Sequence, residues 1–433
     1  MKISPARTAA FDILLRIETE KSFSSVLLLV FENELSAMDR GLCHEITLGT
    51  LRRQLYLDRI IDSLTGKKKL DIQVRIAMRI ALYQIRFLDK IPAYSAINES
   101  VNLVERARKR SAKGFVNAIL RRSLREETFL EFVDQIDELA ITTSHPHWLI
   151  ERWVASFGFD FASKLANANN GIPPAAFRVI ASDSAVDLLV ERARPSAVVP
   201  GCFLLQSFDP EILQLSDSGN IYLQDEASQM VAASVEIPEK GRFLDVCAAP
   251  GGKTGLIAGR FQASSNLLAA GDLRWQRVLN LRENCAQQRV GFVSALQFDA
   301  TFTLPFAEQS FDAVLVDAPC SGTGTIRHNP ELRYFLSSAD VCKLPLKQLS
   351  ILTNASKLIA GDGTLVYSTC SLEREENEEV CVKFLLENPD FVQIRPNVDE
   401  RFLTDDGFAR TWPHMDGMDG FFIAAFKPIA NGK

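Results

Sequence analysis

Beyond Gly241 the chain alternates short apolar runs with stretches long enough for helices, and most of these runs stop at a residue able to do chemistry. The strand candidates are Arg242–Cys247, Asn266–Asp272, Phe292–Phe298, Phe311–Asp317 and Gly363–Ser368, with Phe391–Ile394 and Phe421–Phe426 able to complete a seven-stranded sheet. Buried strands separated by helices imply an α/β fold, a mostly parallel sheet covered on both faces. Such sheets bind ligands beyond the carboxyl ends of their strands, where the strand order reverses. The reactive residues are therefore expected just after each strand.

Two other textures precede this one. Residues 5–135 read as helical, with apolar residues at helical spacing in Ala10, Ile13, Leu14, Ile17, in Leu42, Ile46, Leu48, Leu51, and in Ile76, Ile80, Leu82, Ile85. Gly66 and Pro92 fall where helices should break, and Ser95 reads as a helix start. Further on, His145-Pro146-His147-Trp148 lead into a helix, Asn167 to Pro174 form a loop, and Phe177–Ile180 and Val198–Leu205 read as short strands. Glu373 to Glu379 reads as one acidic helix. The expected domains are an all-α domain over 1–140, a small α+β module over 141–235 and the α/β domain over 236–433.

The net charge of −6 conceals an asymmetry: from Arg40 to Arg125 there are 19 Lys+Arg against 7 Asp+Glu. Such a surplus suits a polyanion, RNA or DNA, or else a set of solvated helix faces. Eight cysteines with no CxxC pair argue against a disulfide scaffold and a zinc ribbon, and no metal site is expected. The apolar run Val26–Phe31 is too short to cross a bilayer, and no signal peptide opens the chain. A cytoplasmic protein without a membrane partner is expected.

The first strand of the α/β part ends in Asp245-Val246-Cys247-Ala248-Ala249-Pro250-Gly251-Gly252-Lys253-Thr254. Its paired glycines admit a ligand close to backbone N–H groups, and the next helix offers its N-terminus to a negative group. The phosphate cradle of a Walker A loop lacks its first glycine, since Cys247 stands there, and GxGxxG is absent. What remains is a nucleoside cofactor with an amino-acid tail. Asp272 closes the second strand at the spacing of a ribose-binding carboxylate, and Asp299 after the third suits an exocyclic amine such as that of adenine. Each carboxylate alone reads equally as a helix cap; together they point to S-adenosylmethionine.

The fourth strand stops at Asp317-Ala318-Pro319-Cys320-Ser321-Gly322, and the fifth at Thr369-Cys370-Ser371. Two cysteines and a carboxylate thus emerge beside the methyl donor. Cytosine C5 is a poor nucleophile, but a thiolate added at C6 turns the ring into an enamine able to attack a methyl sulfonium. Asp317 is placed to hydrogen-bond the base edge near N3 and N4. The rival use of the two thiols is a redox pair. Cys43, Cys202, Cys285, Cys342 and Cys381 read as small buried hydrophobes, and Cys247 as a backbone contributor.

In this order, Cys247–Lys253 (CAAPGGK), Asp317–Gly322 (DAPCSG) and Thr369–Ser371 (TCS) resemble the motifs of RNA cytosine-5 methyltransferases of the Nop2/NSUN/RsmB superfamily. The likeness spans nearly the whole chain. The helical start resembles the NusB-like RNA-binding domain of the RsmB type, and His145–Leu149, Arg327–Glu331 and Asp419–Phe422 also match. The resemblance implies a Rossmann-like domain that uses S-adenosylmethionine to methylate one cytosine of 16S ribosomal RNA. It implies that Cys370 is the nucleophile and that Cys320 assists proton removal at C5 and product release. Cys247, Ala248, Ala249, Pro250, Gly251, Gly252, Lys253, Asp272, Asp299 and Asp317 match the cofactor-contacting positions, with Asp317 also facing the base. Arg274 departs from the family, which often carries an acid there. A monomer is expected. The alternatives are the same chemistry on tRNA or 23S rRNA, and a non-catalytic RNA-binding or antitermination factor.

Overall fold

The computed structural model describes residues 3–32, 34–126, 129–205, 211–261 and 267–429. The chain forms two compact units, one of residues 1–171 with 326–336 and one of residues 172–325 with 337–433. This partition differs from the expected divisions after 140 and 235. Residues 141–171 are helical and belong to the first unit. The small sheet that follows belongs to the second, because Ala176, Val199, Cys202 and Leu204 share one apolar core with Phe243 and Ala270 of the large sheet.

The first unit is all-helical. Its central helix, Ile72–Phe87, is buried at every position from Ile76 to Gln84, so the other helices surround it. The buried cation of this helix, Arg79, meets Asp58 at 2.7 Å, as a charge removed from water must. Gly66, in the left-handed region at φ 65°, ends the helix Gln54–Thr65. The helix Ala93–Arg106 begins earlier than the expected start at Ser95: Pro92 is its N-cap, and the Ser95 N–H already donates to the Pro92 carbonyl. A proline restricts the residue before it, so the chain turns into the helix at Pro92 itself.

Part of the basic surplus is neutralised locally, by Arg106–Asp12, Lys109–Asp71 and Arg75–Asp62 pairs among others. Residues 326–336 add a buried polar anchor to this unit. The Ser24 N–H and hydroxyl donate to Glu331, and the fully buried Arg333 donates to the carbonyls of Thr143 and Ser144.

In the second unit the strands β1 (Ala175–Val179), β2 (Arg194–Pro195), β3 (Cys202–Leu205) and β4 (Ile221–Leu223) form an antiparallel sheet in the order β2-β3-β1-β4. The large sheet contains β5 (Arg242–Asp245), β6 (Leu267–Asp272), β7 (Ser294–Gln297), β8 (Phe311–Asp317), β9 (Ile359–Thr369), β10 (Phe391–Ile394), β11 (Ala409–Arg410) and β12 (Phe422–Pro428). Seven strands lie in the order β10-β12-β9-β8-β5-β6-β7, and β11 adds an eighth beside β12. All pairs from β7 to β9 are parallel, whereas β12 pairs antiparallel with both β9 and β10. The expected first residue of β6, Asn266, lies outside the described residues.

From β5 the chain builds outward through β6 and β7 on one side and through β8 and β9 on the other. The order therefore reverses between β5 and β8, which places a ligand crevice at their carboxyl ends. The acidic run is not one helix: Arg374–Glu376 is a short 3-10 turn and the helix Glu378–Glu387 starts after Asn377. Glu373 and Glu376 are buried, so the chain turns them inward instead of presenting one solvated face.

Candidate active site

The turn after β5 is held from behind. Four consecutive carbonyls are occupied by side chains: Ala249 accepts from Arg277 at 2.7 Å, Pro250 from Asn284 at 2.8 Å, Gly251 from Gln288 at 3.3 Å and Gly252 from Arg178 at 3.1 Å. The Ala248 N–H is itself bonded to the Gly271 carbonyl at 2.8 Å, so the donors offered here are the first N–H groups of the helix Gly252–Ala258, which have no intrahelical acceptor. Gly251 sits at φ 107°, and a Cβ there would lie 2.9 Å from Leu281 Cδ1. Only glycine satisfies both constraints.

Asp245 is fully buried at the foot of the turn and accepts from Thr254 Oγ1 at 2.7 Å. Burial pushes its carboxyl up to about 7, opposed by the Thr254 bond and reinforced by Asp317. Asp272, also buried, accepts from the Arg274 N–H at 3.3 Å and faces Arg277 at 3.4 Å. Arg274 thus meets Asp272 through its backbone. Asp299 accepts from the hydroxyl and N–H of Thr301, both at Oδ1, which holds it below the usual carboxylate range. An electropositive turn flanked by carboxylates on β5, on β6 and just after β7 fits a ligand carrying a carboxylate, hydroxyls and an amine. This donor set matches S-adenosylmethionine. Cys247 is pushed up by burial and by Asp245, Asp272 and Asp317, so its thiol stays protonated.

Beside the turn, Lys253 donates to Asp317 Oδ2 at 2.7 Å, and Ser368 donates to Asp317 Oδ1 at 2.8 Å. Burial opposes the Lys253 charge, but Asp317 outweighs it and raises the ammonium. The Lys253 Nζ also lies 5.0 Å from the centre of the Phe421 ring, which favours the cation further. Parallel pairing of β8 with β9 sets Asp317 opposite Ser368. The loops beyond then bring the Cys320 and Cys370 sulfurs to 3.3 Å. The Cys320 thiol is pushed well up, first by its bond to Cys370 and then by burial.

Every residue singled out from the sequence at the strand ends therefore lies along one edge of the sheet. Of the other cysteines, Cys43, Cys202, Cys285 and Cys381 are buried, whereas Cys342 is exposed. It lies on the outer side of the helix Ser338–Ser356, next to the buried Val341. Sequence reading missed Ser368 and the residues behind the turn. Arg277, Asn284 and Gln288 do share a helical face at spacings of seven and four, but only the fold shows what that face meets.

A family model described as "16S rRNA methyltransferase RsmB/F" matches residues 232–427, and one for the NusB family matches residues 4–125. The "Probable ribosomal RNA small subunit methyltransferase B" of Bacillus subtilis (strain 168) is 33% identical over 99% of both chains. The chain belongs to the ribosomal RNA small subunit methyltransferase B family. The Pseudomonas putida member is 30% identical over 98% of both chains. Methyltransferase B proteins use S-adenosylmethionine, and the chain is an S-adenosylmethionine-dependent methyltransferase. The crystal structure of PH0851 shares the fold over 99% of both chains, with a TM-score of 0.84 at 24% identity. That of NSun6 from Pyrococcus horikoshii with SFG covers 66% of this chain and 98% of its own at a TM-score of 0.59 and 20% identity.

Proposed function

We propose that the protein methylates C5 of a cytosine in 16S ribosomal RNA through a covalent bond from Cys370 to C6, with Cys320 assisting product release. The observation that carries this reading is the pair of sulfurs 3.3 Å apart at the edge of the sheet that also holds the cofactor turn. The names of the relatives support the RNA as substrate.

Asp317 retains acceptor capacity beyond its bonds to Lys253 and Ser368, since a carboxylate offers about four lone-pair sites. It is suited to receive the exocyclic amine of cytosine and so to hold C6 toward Cys370. Addition of the Cys370 thiolate forms the S–C6 bond and moves the ring electrons to C5. S-adenosylmethionine, when bound, supplies an electrophilic methyl group. Once Cys370 is a thioether, Cys320 has lost its thiolate partner across the 3.3 Å contact. With its own proton passed to solvent, the Cys320 thiolate can accept the one leaving C5. The C5–H electron pair re-forms the C5–C6 double bond as the S–C6 bond breaks. The S–H of Cys320 is then placed to donate to the departing thiolate, and such charge-assisted bonds are the strong ones.

The test uses the full chain, 16S rRNA transcript and methyl-labelled S-adenosylmethionine. Cys370→Ala is expected to abolish methylation while keeping cofactor affinity, and Cys320→Ala to accumulate a denaturation-resistant protein–RNA adduct. Methylation by Cys370→Ala refutes the covalent route. Label arriving in tRNA or 23S rRNA instead reassigns the substrate.

A further inference from the structure

One buried carboxylate bonds to the residue that follows each cysteine. Glu376 is fully buried. Its Oε2 accepts from the Ser321 N–H at 2.8 Å, directly after Cys320, and its Oε1 accepts from the Ser371 hydroxyl at 2.7 Å, directly after Cys370. Gln348 also donates to Oε2 at 2.9 Å and bonds the Pro319 carbonyl at 3.1 Å. The Ser321 and Ser371 hydroxyls lie 2.9 Å apart. Glu376 is itself held in place, because the Tyr367 hydroxyl donates to its backbone carbonyl at 2.6 Å.

A buried carboxylate is costly unless its oxygens are met by donors, and here three meet them: the Ser321 N–H, the Ser371 hydroxyl and Gln348. Two of the three come from the loops that carry the cysteines. The two oxygens of a carboxylate are rigidly spaced, so a group that bonds both loops fixes the offset between them. That offset sets the separation of the two sulfurs. Ser321 and Gln348 offer only N–H donors to Oε2, and the Ser371 hydroxyl can donate to Oε1.

We propose that Glu376 is a positioning residue for the two-cysteine reaction: it clamps the loops bearing Cys320 and Cys370 at the separation that attack and release require. This inference rests on the covalent reading given above. Nothing in it requires Glu376 to touch the base or the cofactor.

The test compares Glu376→Ala and Glu376→Gln in the full chain with 16S rRNA transcript. Glutamine can keep its oxygen toward Ser321 and Gln348 and donate to Ser371, whose hydroxyl then turns to Ser321. Glu376→Ala is expected to lower kcat about 100-fold, the scale set by a displacement of roughly 1 Å at a reacting group. KM for RNA and the affinity for S-adenosylmethionine should stay within about threefold, and Glu376→Gln should recover kcat to within about tenfold of the unaltered protein. Asp312→Ala serves as the control. It removes an ion pair with Arg242 at the opposite end of β8, so it should lower the melting temperature and leave kcat unchanged.

A kcat for Glu376→Ala within about threefold of the unaltered protein, or a loss matched by Asp312→Ala at equal loss of melting temperature, overturns the inference. Should Glu376→Ala fail to fold, Ser371→Ala removes one arm of the clamp. An unchanged kcat for Ser371→Ala also overturns the inference. If Cys370→Ala methylates, the covalent reading beneath it fails instead, so the two failures are distinct.

Discussion

Gly324→Ala separates the packing of the reacting loops from every chemical role. Gly324 lies in the short turn Thr323–Thr325, and its N–H donates to the Cys370 carbonyl at 2.9 Å. Its own carbonyl accepts from the Gly420 N–H at 2.9 Å, so it joins the Cys320, Cys370 and Asp419–Phe422 segments. A Cβ at 324 would stand 1.9 Å from the Gly420 oxygen, 2.7 Å from its carbon and 2.9 Å from the Cys370 oxygen, all main-chain atoms. To reach ordinary contact the backbone at 420 must retreat by about 1.5 Å. Both bonds then break in a buried setting, at about 1–3 kcal/mol each, and overpacking adds about 1–3 kcal/mol.

The expected loss is therefore about 3–9 kcal/mol, with about 6 kcal/mol at the middle of the range. In a unit of about 250 residues, each kcal/mol moves the midpoint by about 2–4 °C, so the middle value lowers the melting temperature by about 12–24 °C. Scanning calorimetry of the purified full chain measures this directly. Gly420→Ala is the companion. Its Cβ would meet Leu372 Cδ2 at 2.5 Å, the end of a flexible side chain, and Gly324 Cα at 3.0 Å. It should cost less than half as much. A Gly324→Ala protein that melts within about 2 °C of the unaltered one, or no lower than Gly420→Ala, refutes the packing argument.

Two further expectations follow from the cofactor turn. Asp245 has its carboxyl raised to about 7 by burial, so the native state keeps that proton longer than the unfolded chain. The stability tied to its neutral form is full below pH ~4 and declines as pH rises through about 7. Asp245→Asn should therefore gain melting temperature relative to the unaltered protein between pH 5 and pH 8. A flat difference across that range contradicts the raised value. Arg277→Ala removes the bond to the Ala249 carbonyl and the partner of Asp272. It should weaken S-adenosylmethionine binding by calorimetry about tenfold, or about 1.4 kcal/mol, and unchanged affinity would show that the turn holds its shape without that support.

The α/β part was legible where its strands are long, buried and bounded by reactive residues. Phe311–Asp317 is both the expected and the observed β8, because burial on both faces leaves the apolar run Ala313–Val316 at its centre. Ile359–Thr369 extends four residues before the expected start at Gly363, since its Ala360, Gly361, Asp362 and Gly363 carry little apolar signal. Ser95 looked like a helix start by its side chain, whereas Pro92 determined the start through its backbone. Cys342 and the run Glu373–Glu379 misled for one reason: burial is a property of a helix's neighbours, which local composition does not contain.

From the chain alone came the residue types and their order: a glycine-paired turn, carboxylates at successive strand ends, and one cysteine after each of two strands. These follow from local chemistry, since turn conformation and strand termination depend on neighbours along the chain. Tertiary structure alone decided that the two sulfurs lie 3.3 Å apart, that four carbonyls of the turn are tied back by distant side chains, and that Glu376 faces inward between two loops. Each of these depends on segments from about 30 to over 70 residues apart in sequence being brought together, and such contacts arise only when strand pairing and the shared core close the loops between them.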